Sequence, residues 1–219
     1  MLWAEDLLLL LTDRRTGRLV VPWTRTDLAL AGSVLDQLRH TGRIEVDRPD
    51  RVRRPGRIRV LAPSPTGDAV LDRVLAELDG ADRRPIAAIH RIKGGLRREL
   101  YERLVTAGAL SQGIGRVLGF VPVEVWPARD PDLQAPFIGR LASRWTSPGL
   151  REVTTDPECA SATALLGAIG SIGRVARATG LSGQVRQIQR TAARLRQESW
   201  VAWAVHSIVS AQQASATNP

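Results

Sequence analysis

The sequence predicts a mainly α-helical fold: a single compact domain with a core helix bundle, a small β-wing and a protruding β-hairpin. Apolar residues recur at helical spacing through most of the 219 residues, between capping and stop signals. Only two short β-rich pairs interrupt them. No internal repeat and no dividing linker is present, and 43% hydrophobic with 24% charged residues is ordinary for one domain of this size. The domain is expected to span residues 1–211, with residues 212–219 fraying.

Trp3 to Leu11 reads as a short buried helix, because its acidic flank lacks the positive charge of a secretory leader. Asp13 to Gly17 is a polar turn into a strand, Arg18 to Val21, closed by Pro22-Trp23. Thr24-Arg-Thr-Asp27 has capping-box spacing before a helix carrying Leu28, Ala31, Val34, Leu35 and Leu38 on one face and stopping at Gly42. Arg43 to Val46 and Arg57 to Leu61 form the wing around loop 47–56. Ser64-Pro-Thr-Gly-Asp68 predicts a helix starting at Thr66, with Val70, Leu71, Val74, Leu75 and Leu78 facing inward and Gly80 at the stop.

After Pro85, the seam Ile86, Ile89, Ile92, Leu96, Leu100 and Leu104 predicts continuing helix to Gly108, with Arg91, Lys93, Arg97 and Arg98 off it. Ala109 to Ser111 and Arg116 to Trp126 flank Gln112-Gly-Ile-Gly115, a hairpin turn by composition. Its second strand exposes Val117, Leu118, Phe120 and Val121. Asp130 to Arg144 and Pro157 to Ala178 should be helices, the latter with Gly167, Gly170 and Gly173 spaced for close packing and Gly180 as C-cap. Ser182 to Gln197 turns Val185, Ile188, Ala192 and Leu195 inward and Arg186, Arg190 and Arg194 outward, and Trp200 to Ala211 closes the core.

Charge is distributed unevenly. The net charge is +9, yet residues 39–59 hold eight basic and three acidic side chains, residues 83–103 seven and two, and residues 174–196 six and none. The rest is therefore net acidic. Such segregation attracts polyanions, either an acidic membrane face or nucleic acid. Lys93 is the only lysine, and that preference for Arg follows a GC-rich genome, so Arg number alone says little.

The motifs of enzymes are missing. The chain has no nucleophile elbow, no Walker loop and no H-E-x-x-H, and its three histidines, His40, His90 and His206, lie on separate elements. No catalytic residue, metal or cofactor is expected. Gly113, Gly115 and Gly119 fit a turn better than a dinucleotide fingerprint. Cys159 is read as a structural thiol, and a single cysteine suits a reducing cytosol. Trp23 either packs under its loop or covers the edge of a shallow site. Lys93, Arg97 and Arg98 form either a solvated face or a phosphate grip.

Three segments carry a family resemblance: Leu28 to Ile44, ending Thr41-Gly-Arg-Ile44; Ala62-Pro-Ser-Pro-Thr-Gly-Asp68-Ala-Val-Leu-Asp72; and Leu104-Val-Thr-Ala-Gly-Ala-Leu110. In this order they resemble the Golgi phosphoprotein 3 family, and the chain looks like a bacterial, actinobacterial member from about Trp3 to Ala211. The resemblance implies a mostly helical domain whose eukaryotic relatives are peripheral Golgi proteins. They bind phosphatidylinositol 4-phosphate in a shallow basic pocket and help retain glycosyltransferases. By this resemblance Trp23 and Arg97 match pocket residues. A helix arginine of the pocket falls at Ala31, with Arg25 as the nearby substitute, and the partner of Arg97 falls near Gly94, beside Lys93. The self-association hairpin of the family matches Ala109 to Trp126, with Phe120, Val121 and Trp126 as its apolar residues. The basic amino-terminal tail of eukaryotic members has no counterpart.

The expected function is a non-enzymatic, cytoplasmic, peripheral protein on the inner face of the cell membrane. It binds an anionic phospholipid headgroup, phosphatidylinositol 4-phosphate or a relative, through Trp23, Arg25, Lys93, Arg97 and Arg98. Homo-oligomers and membrane-enzyme clients are the expected partners. Nucleic-acid binding by a winged-helix-like module is the alternative, disfavoured by the few exposed aromatics. A protein-interaction scaffold is the third.

Overall fold

The computed structural model describes all residues except 49–50, 54, 80–82, 118–119, 131–135 and 218–219. Among the described residues the fold is mainly helical, as the sequence predicts, with ten α-helices and two two-stranded antiparallel sheets. In chain order these are α1 (Trp3–Leu11), α2 (Trp23–His40), β1 (Ile44–Val46), β2 (Ile58–Val60), α3 (Ala69–Leu78), α4 (Pro85–Ile92) and α5 (Leu96–Thr106). There follow β3 (Gly113–Val117), β4 (Val121–Val125), α6 (Pro136–Thr146), α7 (Pro157–Ala168), α8 (Ile172–Ala178), α9 (Val185–Glu198) and α10 (Trp200–Thr217).

Helix α2 is the hub. From Thr26 to Asp36 only Asp27 escapes burial, because α1, α4, α5, α7 and α10 all pack on it. At Gly32 a Cβ would lie 2.7 Å from Leu165 Cδ2 and 3.1 Å from Val205 Cγ2, so the missing side chain admits α7 and α10. A charge this deep requires partners. Asp36 has them: the Ser161 hydroxyl donates at 2.8 Å and Arg39 Nε at 3.0 Å.

The Pro-Thr-Gly-Asp box is a structural joint. The helix starts at Ala69 rather than Thr66, since Asp68 caps it by accepting the Val70 N–H at 2.9 Å, while the Thr66 N–H and hydroxyl both donate to Asp72 at 2.6 Å. These bonds hold the Asp72 carboxyl below its usual range. Arg103 of α5 then ties the Asp68 cap at 2.7 Å to Glu5 of α1 at 2.7 Å.

Several expectations are corrected. Arg18 to Val21 is not a strand but one bridge, Thr12 to Leu19, because nothing pairs with it further. Helix α2 starts at Trp23 directly after Pro22, without the Thr24 capping box. The helix expected from Pro85 to Gly108 breaks into α4 and α5 at Gly95, whose φ of 74° is left-handed, and Ile86 is exposed. Likewise Pro157 to Ala178 breaks at Gly170, φ 67°, so only Gly167 serves close packing, its absent Cβ 2.7 Å from Ala192. Helix α10 runs to Thr217, with its residues from Ser210 to Ala216 exposed, because the absence of charge and proline leaves nothing to stop it. The Gly80 stop and the start of the predicted helix at Asp130 (131–135) lie outside the described residues, and α6 is seen from Pro136.

The hairpin is real, but Gly113 and Gly115 lie within β3 rather than in its turn. Gly115 there accommodates Val125, whose Cγ1 would be 2.7 Å from an added Cβ. Leu118, Gly119 and the Val117 side chain lie outside the described residues. Phe120, Val121 and Ile114 are exposed, but Trp126 is not: it is 5% exposed and stacks on Tyr101 at 4.7 Å between centroids. Its removal from the exposed set follows from that stacking. Trp126 anchors the hairpin to the body. Trp126→Ala should therefore destabilise the fold by about 3–5 kcal/mol, the usual cost of deleting a buried aromatic. Chemical denaturation checks this, and an unchanged midpoint would return Trp126 to the assembly surface.

Candidate functional site

The exposed end of α2 carries Trp23 and, through Asp27, holds Arg97. Trp23, at the first helical position, is 61% exposed, because Pro22 turns the chain out of the core just before it. One turn on, Asp27 accepts a hydrogen bond at 2.6 Å from Arg97 Nε of α5. The sequence reading treats Asp27 as part of a capping box; the structure makes it the anchor of Arg97. That contact uses Nε alone, and the two Nη groups carry no hydrogen bond among the described residues. The guanidinium is thus held from behind with its paired donors free.

Lys93 caps the C-terminal end of α4 and has no carboxylate partner among the described residues. The left-handed Gly95 turns the chain between Lys93 and Arg97, so the break leaves a second, half-buried cation four residues before Arg97. With its burial, Lys93 also holds the His90 imidazole below its ordinary range. Both helix starts here, at Trp23 and Leu96, lack a side-chain cap, so their N–H groups add positive potential.

Two predicted residues are placed elsewhere. Arg25 donates Nη1 to the Ile169 carbonyl at 3.0 Å, satisfying the end of α7 beside Gly170. Arg98 pairs with Glu102 at 2.9 Å on the open face of α5. Ala31 is fully buried against the core, so no headgroup contact is available at that position. Gly94 is an exposed residue of the α4–α5 turn. The structure therefore joins Arg97 to the turn of α2 that carries Trp23, through Asp27, the residue that sequence spacing assigned to another task, and places Lys93 at the α4–α5 break.

Cys159 is buried, and burial with the neighbouring Asp156 carboxylate pushes its thiol up to about 12. A protonated, enclosed thiol is a poor nucleophile. Beside it, burial and the Asp6 charge push Glu158 up to about 7, despite Arg140 in contact with it. Among the described residues no group of His, Cys, Asp and Glu could hold a metal, and no helix is long and apolar enough to cross a membrane.

A mainly α domain, with ten helices among the described residues, a small wing and a hairpin, defines the class. The chain belongs to the Golgi phosphoprotein 3 (GPP34) family, whose family model matches residues 3–212. No curated protein matches the sequence.

Two outcomes follow from the titrating groups. Native Cys159 should resist a thiol reagent near pH 8 and react once the chain is unfolded; rapid native labelling would contradict its burial. Glu158 ordinarily titrates near 4.5 and in the fold near 7, so its contribution to stability is full below the lower value and lost as pH rises through the higher. Asp6, raised mainly by burial, acts with the same sign. Glu158→Gln should lessen the fall in melting temperature between about pH 5 and about pH 8; an identical fall would place the titration elsewhere.

Proposed function

We propose that this protein binds an anionic phospholipid headgroup at a membrane surface through Trp23, Lys93 and Arg97, and that it does so without turnover. The observation that supports the reading is an exposed indole one turn before Asp27, which anchors a guanidinium whose Nη groups carry no hydrogen bond among the described residues. A phosphate oxygen pair matches two parallel N–H donors, each such charge-assisted bond contributing about 1.5 to 3 kcal/mol. The indole suits the interfacial layer, where its apolar body is buried and its N–H stays wet. A phosphomonoester such as that of phosphatidylinositol 4-phosphate offers the best fit, because Lys93 can meet the third oxygen. Asp27 limits nonspecific attraction to any anionic surface. Family membership supports the same reading, and we place the action at the cytoplasmic face of the cell membrane.

Arg97→Ala should weaken binding to vesicles containing an anionic headgroup by roughly tenfold, since about 1.4 kcal/mol is one decade. Trp23→Ala should act comparably, and Arg190→Ala, on the exposed face of α9, should weaken binding less and without headgroup preference. Vesicle co-sedimentation at fixed salt measures all three. Equal losses at Arg97 and Arg190, with none at Trp23, would leave only diffuse electrostatics.

Self-association through the hairpin is a second part of the proposal, supported by Ile114 and Phe120, 80% and 75% exposed on one projecting element. The double substitution Ile114→Ser, Phe120→Ser should lower the assembly mass in light scattering without unfolding the chain. Constant mass would assign the hairpin another role, docking of a client membrane enzyme among them.

A further inference from the structure

A cavity of about 810 Å³ opens at the other end of α4, between the wing and α10. Arg48, Arg53, Arg57 and Arg84 line it, over a floor of Pro85, Ile86 and Trp203. It is separate from the Trp23 surface. Helix α4 runs from Pro85 at the cavity to Ile92 beside Lys93, about 10 Å of helical rise.

Three of the four arginines that line this cavity meet no carboxylate among the described residues. Among the described lining residues the carboxylate is Asp47, and Arg59, which is not part of the lining, already holds it at 2.9 Å. Arg48, Arg53 and Arg84 have no carboxylate partner among the described residues. Like charges converging on one space repel, and an anion between them removes the repulsion. The uncapped start of α4 adds to the attraction, because Arg84 at the N-cap gives no side-chain bond to the following N–H groups.

The floor narrows the ligand class. Ile86 is an apolar side chain left 38% exposed, and Trp203 is only partly buried between the buried residues Ala202 and Ala204 of α10. Its indole N–H makes no hydrogen bond among the described residues. A flat apolar surface with one free donor suits a planar group that both stacks and accepts. The arrangement is preorganised from the wing side by Gly56: a Cβ there would lie 2.7 Å from Asp47 Cβ, so the missing side chain lets the two ends of loop 47–57 close together.

We infer that this cavity is a second anion site that takes a soluble nucleoside phosphate, its phosphates among Arg48, Arg53 and Arg84 and its base on Trp203 and Ile86. The volume falls in the range of small-ligand sites. The inference is independent of the headgroup reading.

The test is calorimetric titration of the full chain with ADP, pyrophosphate and adenosine at low and at physiological salt. ADP should bind, salt-dependently, at least about tenfold more tightly than either fragment, because only ADP engages both halves of the site. Arg84→Ala and Arg53→Ala should each weaken ADP by about fivefold or more, Trp203→Leu should erase the preference over pyrophosphate, and Arg97→Ala should leave ADP unchanged. Arg84→Ala is exposed and carries the test if Trp203→Leu proves unstable by thermal denaturation. No ADP binding, or ADP equal to pyrophosphate, overturns the inference. Displacement of ADP by vesicles containing phosphatidic acid also overturns it, because the cavity would then read a lipid phosphate.

Discussion

The burial of α2 on every side but its first turn is the constraint from which the other features follow. Five helices cover it, so its interior is restricted to small and aliphatic residues and to three polar ones, Thr26, Ser33 and Asp36, of which Thr26 and Asp36 hydrogen-bond to neighbouring elements. Surface on this helix exists only where the cover ends. That place is the turn from Trp23 to Asp27, and an exposed indole there is a direct result of Pro22 leading the chain out of the core. The last turn, in the same way, delivers Arg43 to the wing, where its guanidinium gathers the carbonyls of Ala62 and Ser64 at 3.3 and 2.8 Å. One buried helix thus positions both the candidate headgroup site and the wing that walls the second cavity.

Left-handed glycines divide what apolar periodicity joins. The seam from Ile89 to Leu104 keeps its phase across Gly95, and the run from Pro157 to Ala178 keeps its composition across Gly170, so pattern alone reads each as one helix. An L side chain avoids positive φ, whereas glycine accepts it at little cost, and the chain reverses there. The chemical result differs between the two breaks. At Gly95 the new helix end exposes Lys93 and Arg97, while at Gly170 the freed carbonyl of Ile169 takes Arg25 out of the candidate site.

Local signals in the sequence were therefore informative and long-range ones were not. The capping chemistry near Asp68 was legible, although not that the same carboxylate would receive Arg103 from α5, thirty-five residues away. That pairing makes the most specific box of the sequence a joint between α1, α3 and α5 rather than part of a ligand site. Trp126 looked like an apolar tip residue because a hairpin sequence cannot show which end packs; its stacking on Tyr101 is a tertiary fact. Asp27 fitted a capping spacing, and only the approach of α5 reveals it as the partner of Arg97. The wing cavity left no local signal, since Trp203 and Arg84 are more than a hundred residues apart and each is unremarkable alone.

Net charge is a poor guide to where an anion binds, and the ion pairs show why. A chain that uses Arg almost exclusively spends many of them internally: Arg73 with Glu77 and Glu99, Arg140 and Arg144 with Asp156, Arg103 with Glu5 and Asp68. Exposed pairs of this kind contribute little each, about 0–1 kcal/mol, but they cancel the field that their charges would otherwise project. What reaches a ligand within a Debye length of about 8 Å is the unpaired remainder. In the window of residues 83–103, that remainder among the described residues is Arg83, bonded only to the Glu77 carbonyl, and Arg84 at one end of α4, and Lys93 with the Nη groups of Arg97 at the other. The two proposed anion sites are thus distinguished by their floors rather than their charge: an exposed indole at Trp23, suited to an interface, and one that lines a cavity at Trp203, suited to a ligand that enters it.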